Sequence, residues 1–584
     1  MNNLQKIQNY LIENNISLLI VNRTDEFLNE YIAPYAERLE WISNFSGSAG
    51  RAIIQQNKAF IFIDGRYTFQ AHKQVDAQYF DIEHLKDYWK YLENNIEINS
   101  RIGIDPTLHS ISEIKKIEEL VKKKKSFVKY LEKNPIDNLW NDQPSYPQSQ
   151  AFIHKEKYAG KFSIDKLGNL QSILKSSSID HYILTSLDSI AWLLNIRGND
   201  ILHIPLILSF AIVPRSGKIE LFVDDGKITS IKKKLQDIVN FHSFNDIEDY
   251  LITNNNSVIG MDEDRTVYNF SKICNDNNLS IKYLPDPCVY PKAQKNSTEL
   301  SGARNANIRD GLSITRFLYW LKNEMNINKT DEIKAADYLY DLRKKNDLFY
   351  SLSFDTISAI DEHAALPHYR VTHETNLSFR DNSIYLVDSG AQYLDGTTDI
   401  TRTIILGEPT EEQKDRFTRV LKGHIAIASA TFEVKTKGST LDPLARKSLQ
   451  DIGCDYDHGT GHGIGSFLSV HEGPQRIAKS QGLSDGEIRE GMILSNEPGF
   501  YKKEEYGIRT ENLIVAYKKT DITLGFETIS WAPIDIDLID INILSSDEII
   551  WLNNYHQKVY EKLSDKLDVG EREWLKKVTS PVVS

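Results

Sequence analysis

Several short segments in the second half of the chain gather carboxylates and imidazoles. In Ser383-Ile384-Tyr385-Leu386-Val387-Asp388-Ser389-Gly390 an apolar run ends on Asp388. A carboxylate at the end of a buried strand is costly unless its charge is compensated. Asp399 follows in Asp395-Gly396-Thr397-Thr398-Asp399-Ile400-Thr401-Arg402, and an Asp-Gly turn between two strand-like runs predicts a hairpin. Folding there sets Asp388 roughly opposite Asp399. Facing carboxylates repel, so a proton, a cation or a metal must compensate them. These residues alone leave metal, pairing with Arg402 and simple exposure all open.

The segment His458-Gly459-Thr460-Gly461-His462-Gly463-Ile464-Gly465 sets two imidazoles among glycines that let backbone approach a ligand. A neutral imidazole is a common donor to divalent metals. His471, in Val470-His471-Glu472-Gly473-Pro474, adds a third imidazole. Glu497 ends a further apolar run that starts at Met492, and Arg509 and Glu511 share a face of the next strand because they are two apart. Each segment by itself reads as an ordinary turn, ion-pair partner or surface acid. Together, Asp388, Asp399, His462, Glu497 and Glu511 form a hard, oxygen-rich donor set suited to Mn²⁺, Mg²⁺, Fe²⁺ or Co²⁺, with Zn²⁺ also compatible. The set has no thiolates and too few nitrogens for a structural zinc site. Its carboxylates suit two cations better than one, and such pairs activate a bridging hydroxide while polarising a carbonyl.

The elements that must position these groups are mixed. Asn296-Ser297-Thr298-Glu299 predicts a capped helix start, with Ile308, Leu312, Thr315 and Tyr319 on one face of the helix that follows. Helices near 334–345 and 411–432 alternate with strand pairs near 383–405 and 491–517, an α+β domain with an antiparallel sheet. The first half instead repeats itself. A helix and strand (4–13, 16–21) precede Trp41, Asn44 and Gly47, and a second helix and strand (166–175, 179–185) precede Trp192, Asn195 and Gly198 at the same spacing. Paired strands, an acidic turn and an isolated strand follow in each copy, implying two tandem α/β modules. The expected division is 1–136, 137–296 and 297–584. A formal net charge of −13 argues against nucleic-acid or anionic-membrane binding. With 3 cysteines and no signal-like start, a cytoplasmic protein is expected.

These segments resemble the catalytic domain of the pita-bread metallopeptidases, and the Xaa-Pro aminopeptidases (aminopeptidase P) among them. The signatures are Asp388-Ser389-Gly390-Ala391, Thr398-Asp399-Ile400-Thr401-Arg402, His458-Gly459-Thr460-Gly461-His462-Gly463 and Asn496-Glu497-Pro498-Gly499. The resemblance covers nearly the whole chain. It implies two creatinase-N-like modules before a pita-bread domain, as in the three-domain cytosolic form, whose ending resembles Phe526-Glu527-Thr528 and Trp551-Leu552-Asn553-Asn554-Tyr555-His556.

The resemblance further implies hydrolysis of the N-terminal Xaa-Pro bond, with a hydroxide bridging two divalent ions, Mn²⁺ before Zn²⁺ or Co²⁺, as nucleophile. Asp399 and Glu511 would bridge the ions, Asp388 would hold one, and His462 with Glu497 the other. Glu497 would accept a proton, and His368 would line the substrate site. His471 would stabilise the tetrahedral intermediate or pass a proton to the leaving nitrogen. His458 and Arg509 match further substrate-site positions. A homodimer and peptide substrates with proline second are likewise implied. One departure is Ile360-Asp361-Glu362-His363-Ala364-Ala365, which replaces a glycine- and asparagine-rich segment before His368. It makes Asp361, Glu362 and His363 loop residues and bears on the proline pocket. The rivals are a prolidase acting on Xaa-Pro dipeptides, and a noncatalytic peptide- or histone-binding protein on the same fold.

Overall fold

A computed structural model describes residues 2–254, 256–479 and 485–583; residues 1 and 584 of the expected division lie outside them. The chain forms two compact units, Met1–His154 with Lys161–Cys288, and Lys155–Gly160 with Val289–Ser584.

The first unit contains the duplication as topology. One six-stranded sheet runs Asp81–His84, Ala59–Ile63, Gly50–Gln55, Leu18–Asn22, Arg101–Ile104, Phe127–Tyr130. The other runs Val239–His242, Ile219–Phe222, Phe210–Pro214, His181–Leu184, Val258–Met261, Ser280–Tyr283. In both, the central pairs are antiparallel and the flanking pairs parallel. The repeated Trp-x-x-Asn has a physical reason. Asn44 and Asn195 end the helices Arg38–Ser43 and Leu187–Leu194 in the left-handed region, at φ +63° and +50°, a conformation asparagine tolerates better than most residues.

In the second unit the strand pairs among the described residues are antiparallel. The expected helix start is present. Asn296 accepts from the Thr298 and Glu299 amides, Glu299 returns a bond to the Asn296 amide, and the helix runs Ser297–Tyr319. The strand Ser383–Ser389 pairs along its whole length with Ile400–Leu406, as the Asp-Gly turn predicts. A six-stranded sheet, ordered Thr431–Glu433, Thr523–Thr528, Asn512–Lys518, Ile493–Asn496, Gly461–Gly463, Glu472–Ile477, carries the remaining acidic and imidazole segments. The helix expected over 411–432 stops at Ala428, where Ser429 caps it, and Thr431–Glu433 joins the sheet edge instead. Phe417, Val420 and Leu421 of that helix pack with Leu312, Ile384 and Ile405, and with Leu552, Tyr555 and Val559 of the helix Ser546–Leu563. The C-terminal region therefore completes the core under the site by burying apolar surface. No helix among the described residues is long and apolar enough to cross a membrane.

Candidate metal centre

Two hairpins bring the acidic groups together. Asp388 lies opposite Thr401, and Ser389 opposite Ile400, so Asp399 follows directly on the other arm. In the larger sheet Asn496 pairs with Asn512, which sets Glu497 and Glu511 just past one end of paired strands. The Glu511 amide then donates to the Thr401 carbonyl at 3.2 Å, tying the two hairpins. His462 Nε2 lies 3.5 Å from Asp399 Oδ2 and 3.4 Å from Glu497 Oε1. One donor atom each from Asp399, His462 and Glu511 fall within 4.8 Å of one another.

The glycine-rich loop needs its glycines for close approach. A Cβ at Gly461 would stand 2.0 Å from the Ser495 carbonyl oxygen, and one at Gly463 would stand 2.1 Å from that of Glu472. No larger residue lets the His462 strand lie between its neighbours so closely. The helix Gly438–Gln450 holds the loop from behind. Thr460 Oγ1 donates to Asp442 Oδ1 at 2.6 Å, and Arg446 Nη2 donates to the His458 carbonyl at 2.8 Å.

The electrostatics are unfavourable for a bare protein. Burial pushes the Asp399 carboxyl well above the usual carboxylate range, and the charges of Glu511, Asp388 and Glu497 add to it. Glu511 is raised in the same way by burial, then by Asp388 and Glu497. Glu497 is lifted to about 7 by burial, against the opposing pull of Arg509. Asp388 Oδ1, Asp399 Oδ1 and Glu511 Oε1 are buried without a protein hydrogen-bond partner among the described residues. Converging buried oxygens that lack donors are what divalent cations satisfy, so this donor set fits them.

Arg402, the partner weighed for the aspartates, serves elsewhere. Its guanidinium donates to the carbonyls of Thr401, Glu511, Ala532 and Pro533, to Asn512 Oδ1 and to the Tyr555 hydroxyl, at 2.7–3.0 Å. The cation beside the carboxylates is Arg509, whose Nη2 donates to Asp388 Oδ2 at 2.6 Å. Arg509 Nη1 donates to the Tyr501 hydroxyl at 2.6 Å, and Nε donates to Thr401 Oγ1 at 3.2 Å. His458 Nδ1 faces the Gly459 carbonyl at 2.7 Å and must donate to it. Its Nε2 therefore accepts from the Tyr501 hydroxyl at 2.8 Å. The His471 ring stands edge-on to that of His462, with centroids 4.3 Å apart. His368 is half-buried in the excursion between the strands Ile357–Ile360 and Ser383–Ser389.

Tyr501 and Thr401 are groups the sequence reading passed over. Thr401 Oγ1 donates to Glu511 Oε2 at 2.7 Å while accepting from Arg509. Tyr501 links Arg509 to His458 and has its own hydroxyl pushed to about 12 by burial. A hydroxyl four residues beyond Glu497, within a strand starting at Gly499, was the available signal for Tyr501.

Residues 301–518 match the family model of Metallopeptidase family M24, and residues 522–582 that of the C-terminal region of peptidase M24. Residues 3–133 and 142–299 each match a Creatinase/Prolidase N-terminal domain. A Paracoccidioides brasiliensis protein named probable Xaa-Pro aminopeptidase P is 37% identical, over 99% of this chain and 98% of that one. A Neosartorya fischeri protein of the same name is 38% identical, over 99% and 92%. The chain belongs to the Xaa-Pro aminopeptidase P family of M24 metallopeptidases. Among solved structures, the X-prolyl aminopeptidase of Caenorhabditis elegans, described as a cytosolic enzyme with a di-nuclear active site, superposes with a TM-score of 0.94. It is 32% identical and covers 99% of both chains. The Xaa-Pro dipeptidase of Bacillus anthracis, 22% identical with a TM-score of 0.53, covers 64% of this chain and 99% of its own; that likeness is one of fold. Membership in the Xaa-Pro aminopeptidase P family accounts for the paired creatinase-type modules and the pita-bread domain expected from sequence.

Proposed function

We propose that this chain is a metalloaminopeptidase that hydrolyses the N-terminal Xaa-Pro bond of peptides, with its two metals held by Asp388, Asp399, His462, Glu497 and Glu511. The observation that carries the ligand set is the convergence of buried carboxylate oxygens that lack protein donors. Asp399 and Glu511 would be shared between the ions, Asp388 would serve one, and His462 with Glu497 the other. When bound, divalent cations supply Lewis acidity for the scissile carbonyl and make water nucleophilic near neutral pH.

The remaining work falls to the chain's own groups. Glu497, held just past the strand Ile493–Asn496 with Oε1 3.4 Å from His462 Nε2, is the proton acceptor. His471, against the His462 ring, stabilises the tetrahedral oxyanion or delivers the proton to the leaving imino nitrogen. His368 and His458 contact substrate. Arg509 holds Asp388 and, through Tyr501, fixes the tautomer of His458.

The same reading takes Mn²⁺ as the metal, a cytoplasmic location, a homodimeric state, and a division at 1–136, 137–296 and 297–584. The test is turnover of Xaa-Pro dipeptides against Xaa-Pro-Yaa-Zaa peptides after chelation and readdition of single metals. Cleavage of the longer peptides with release of Xaa, restored best by Mn²⁺, is expected. Cleavage of dipeptides alone gives a prolidase, and purified protein without stoichiometric metal gives a binding module.

A further inference from the structure

Glu332, the first residue of the helix Glu332–Lys344, has no exposed side-chain surface. A buried carboxylate needs converging donors, and these come from a single excursion of the chain. Oε1 accepts from the Ile360 amide at 2.9 Å and from His363 Nδ1 at 2.9 Å. Oε2 accepts from the Leu377 amide at 3.0 Å and from the Tyr369 hydroxyl at 3.2 Å. The main chain of Glu332 adds a bond from its amide to the Leu377 carbonyl, at 3.1 Å, and one from Ser358 Oγ to its own carbonyl, at 2.7 Å. One residue therefore gathers the start, the middle and the end of the 360–377 excursion. His363, expected as a loop residue, is a buried donor whose Nδ1 must carry the proton, since an ionised carboxylate only accepts.

His368 rides on this excursion. The ring of its neighbour Tyr369 stacks on that of His363 with centroids 4.2 Å apart, and packs with Ile357, Ala359, Ala364 and Leu386. Ile357 pairs directly with Asp388. On the other side the excursion abuts the strand that carries Arg509: a Cβ at Gly507 would stand 1.7 Å from the Ala364 carbonyl oxygen.

We propose that Glu332 is a positioning residue for the peptidase reaction, acting through His363 and Tyr369 to set the place of His368. The inference rests on the reading of His368 as a substrate-site group. Glu332 itself touches none of the candidate ligands. Its influence is alignment, and a displacement of about 1 Å at a substrate-positioning group costs up to roughly 100-fold in rate.

The test is a double-mutant cycle on the metal-loaded full chain, with kcat and KM measured on an Xaa-Pro-Yaa peptide for wild type, E332Q, H368A and the double variant. E332Q is expected to lower kcat/KM about 10- to 100-fold. In the H368A background it should cost less than about threefold, because both changes remove the same alignment. Full multiplication of the two effects, a wild-type-like E332Q, or a wild-type-like H368A overturns the positioning role. Should E332Q fail to fold, H363A and H363N carry the test. The amide introduced by H363N can donate to Glu332 and should restore what H363A loses, whereas equal loss in both overturns the role. Wild-type protein without turnover refutes the peptidase reading and the positioning role with it. Turnover with multiplying effects refutes the positioning role alone.

Discussion

Arg509 and Asp388 stand 121 positions apart in the chain and meet through a 2.6 Å contact between Nη2 and Oδ2. The same guanidinium reaches Tyr501 and Thr401, so one side chain aligns a candidate ligand carboxylate, a phenol and the hydroxyl that holds Glu511. Lysine keeps the charge, but its three donors sit on one nitrogen and cannot span the acceptors that the planar fork reaches. Arg509→Lys should therefore retain its metals yet lose about 10- to 100-fold in kcat/KM, the worth of one charge-assisted bond at roughly 1.5–3 kcal/mol. A loss under twofold would show that the fork geometry is irrelevant to turnover.

Asp399→Asn and Glu511→Gln should each reduce turnover by more than about 1000-fold and yet stabilise the metal-free protein. Both carboxyls are raised by burial and by their neighbours' charges, so at pH 8 the metal-free fold works against their ionisation. A neutral amide removes that cost. Melting in chelator at pH 8 should put either variant above wild type by at least about 2 °C, and Mn²⁺ should then stabilise wild type far more than the variant. A metal-free variant that melts below wild type would contradict this account of the cluster.

The fold was legible where local chemistry and long-range packing agree. The Asp-Gly turn predicted the hairpin that carries Asp388 and Asp399, and the Asn296 cap predicted the start of its helix. The repeated Trp-x-x-Asn, legible as a repeat, falls in the structure on two helix ends, where few residue types accept the left-handed region. What sequence spacing could not supply was which cation would face the acids. Arg402 lies three residues from Asp399 and was the natural partner, but its side chain points to the Pro533 and Ala532 carbonyls. Arg509 arrives from a strand that pairs only after the chain has turned at Glu504 and Glu505. The Glu332 cluster was hidden for a related reason: a glutamate in a helix's first turn reads as a favourable surface charge, and only its tertiary partners reveal it as buried.

Gly461→Ala is the smallest change that should disconnect His462. The added methyl would meet the Ser495 carbonyl at 2.0 Å, and backbone cannot yield as a side-chain tip can. Overpacking of this kind costs about 1–3 kcal/mol. The urea midpoint should fall accordingly, and metal content by elemental analysis should drop below that of wild type, because the shifted strand also carries the imidazole. Unchanged metal content would mean that the close approach is not required for the ligand geometry.

His424 ties together the two strands that Glu497 and Glu511 flank. Its Nδ1 donates to the Asn496 carbonyl at 3.0 Å and its Nε2 accepts from Asn512 Nδ2 at 3.1 Å. Burial, helped by the nearby charge of Arg402, lowers its pKa from 6.5 to about 3, so the folded protein keeps this imidazole neutral. Between those values the unfolded chain binds the extra proton, so stability rises with pH through the window and is flat above 6.5. Acidification from pH 7.5 to 5 should therefore cost wild type roughly 2 kcal/mol through this residue, at about 1.4 kcal/mol per pH unit below the unfolded value. His424→Gln should be less stable than wild type at pH 7.5, by about 1–3 kcal/mol for the lost bonds, and the deficit should shrink by about 2 kcal/mol at pH 5. Urea midpoints of both metal-free proteins at the two pH values measure this difference, in which the titration of the carboxylates cancels. A deficit that is constant with pH would mean that His424 already exchanges its proton in the folded state, and that the bridge between the Asn496 and Asn512 strands does not depend on a neutral ring.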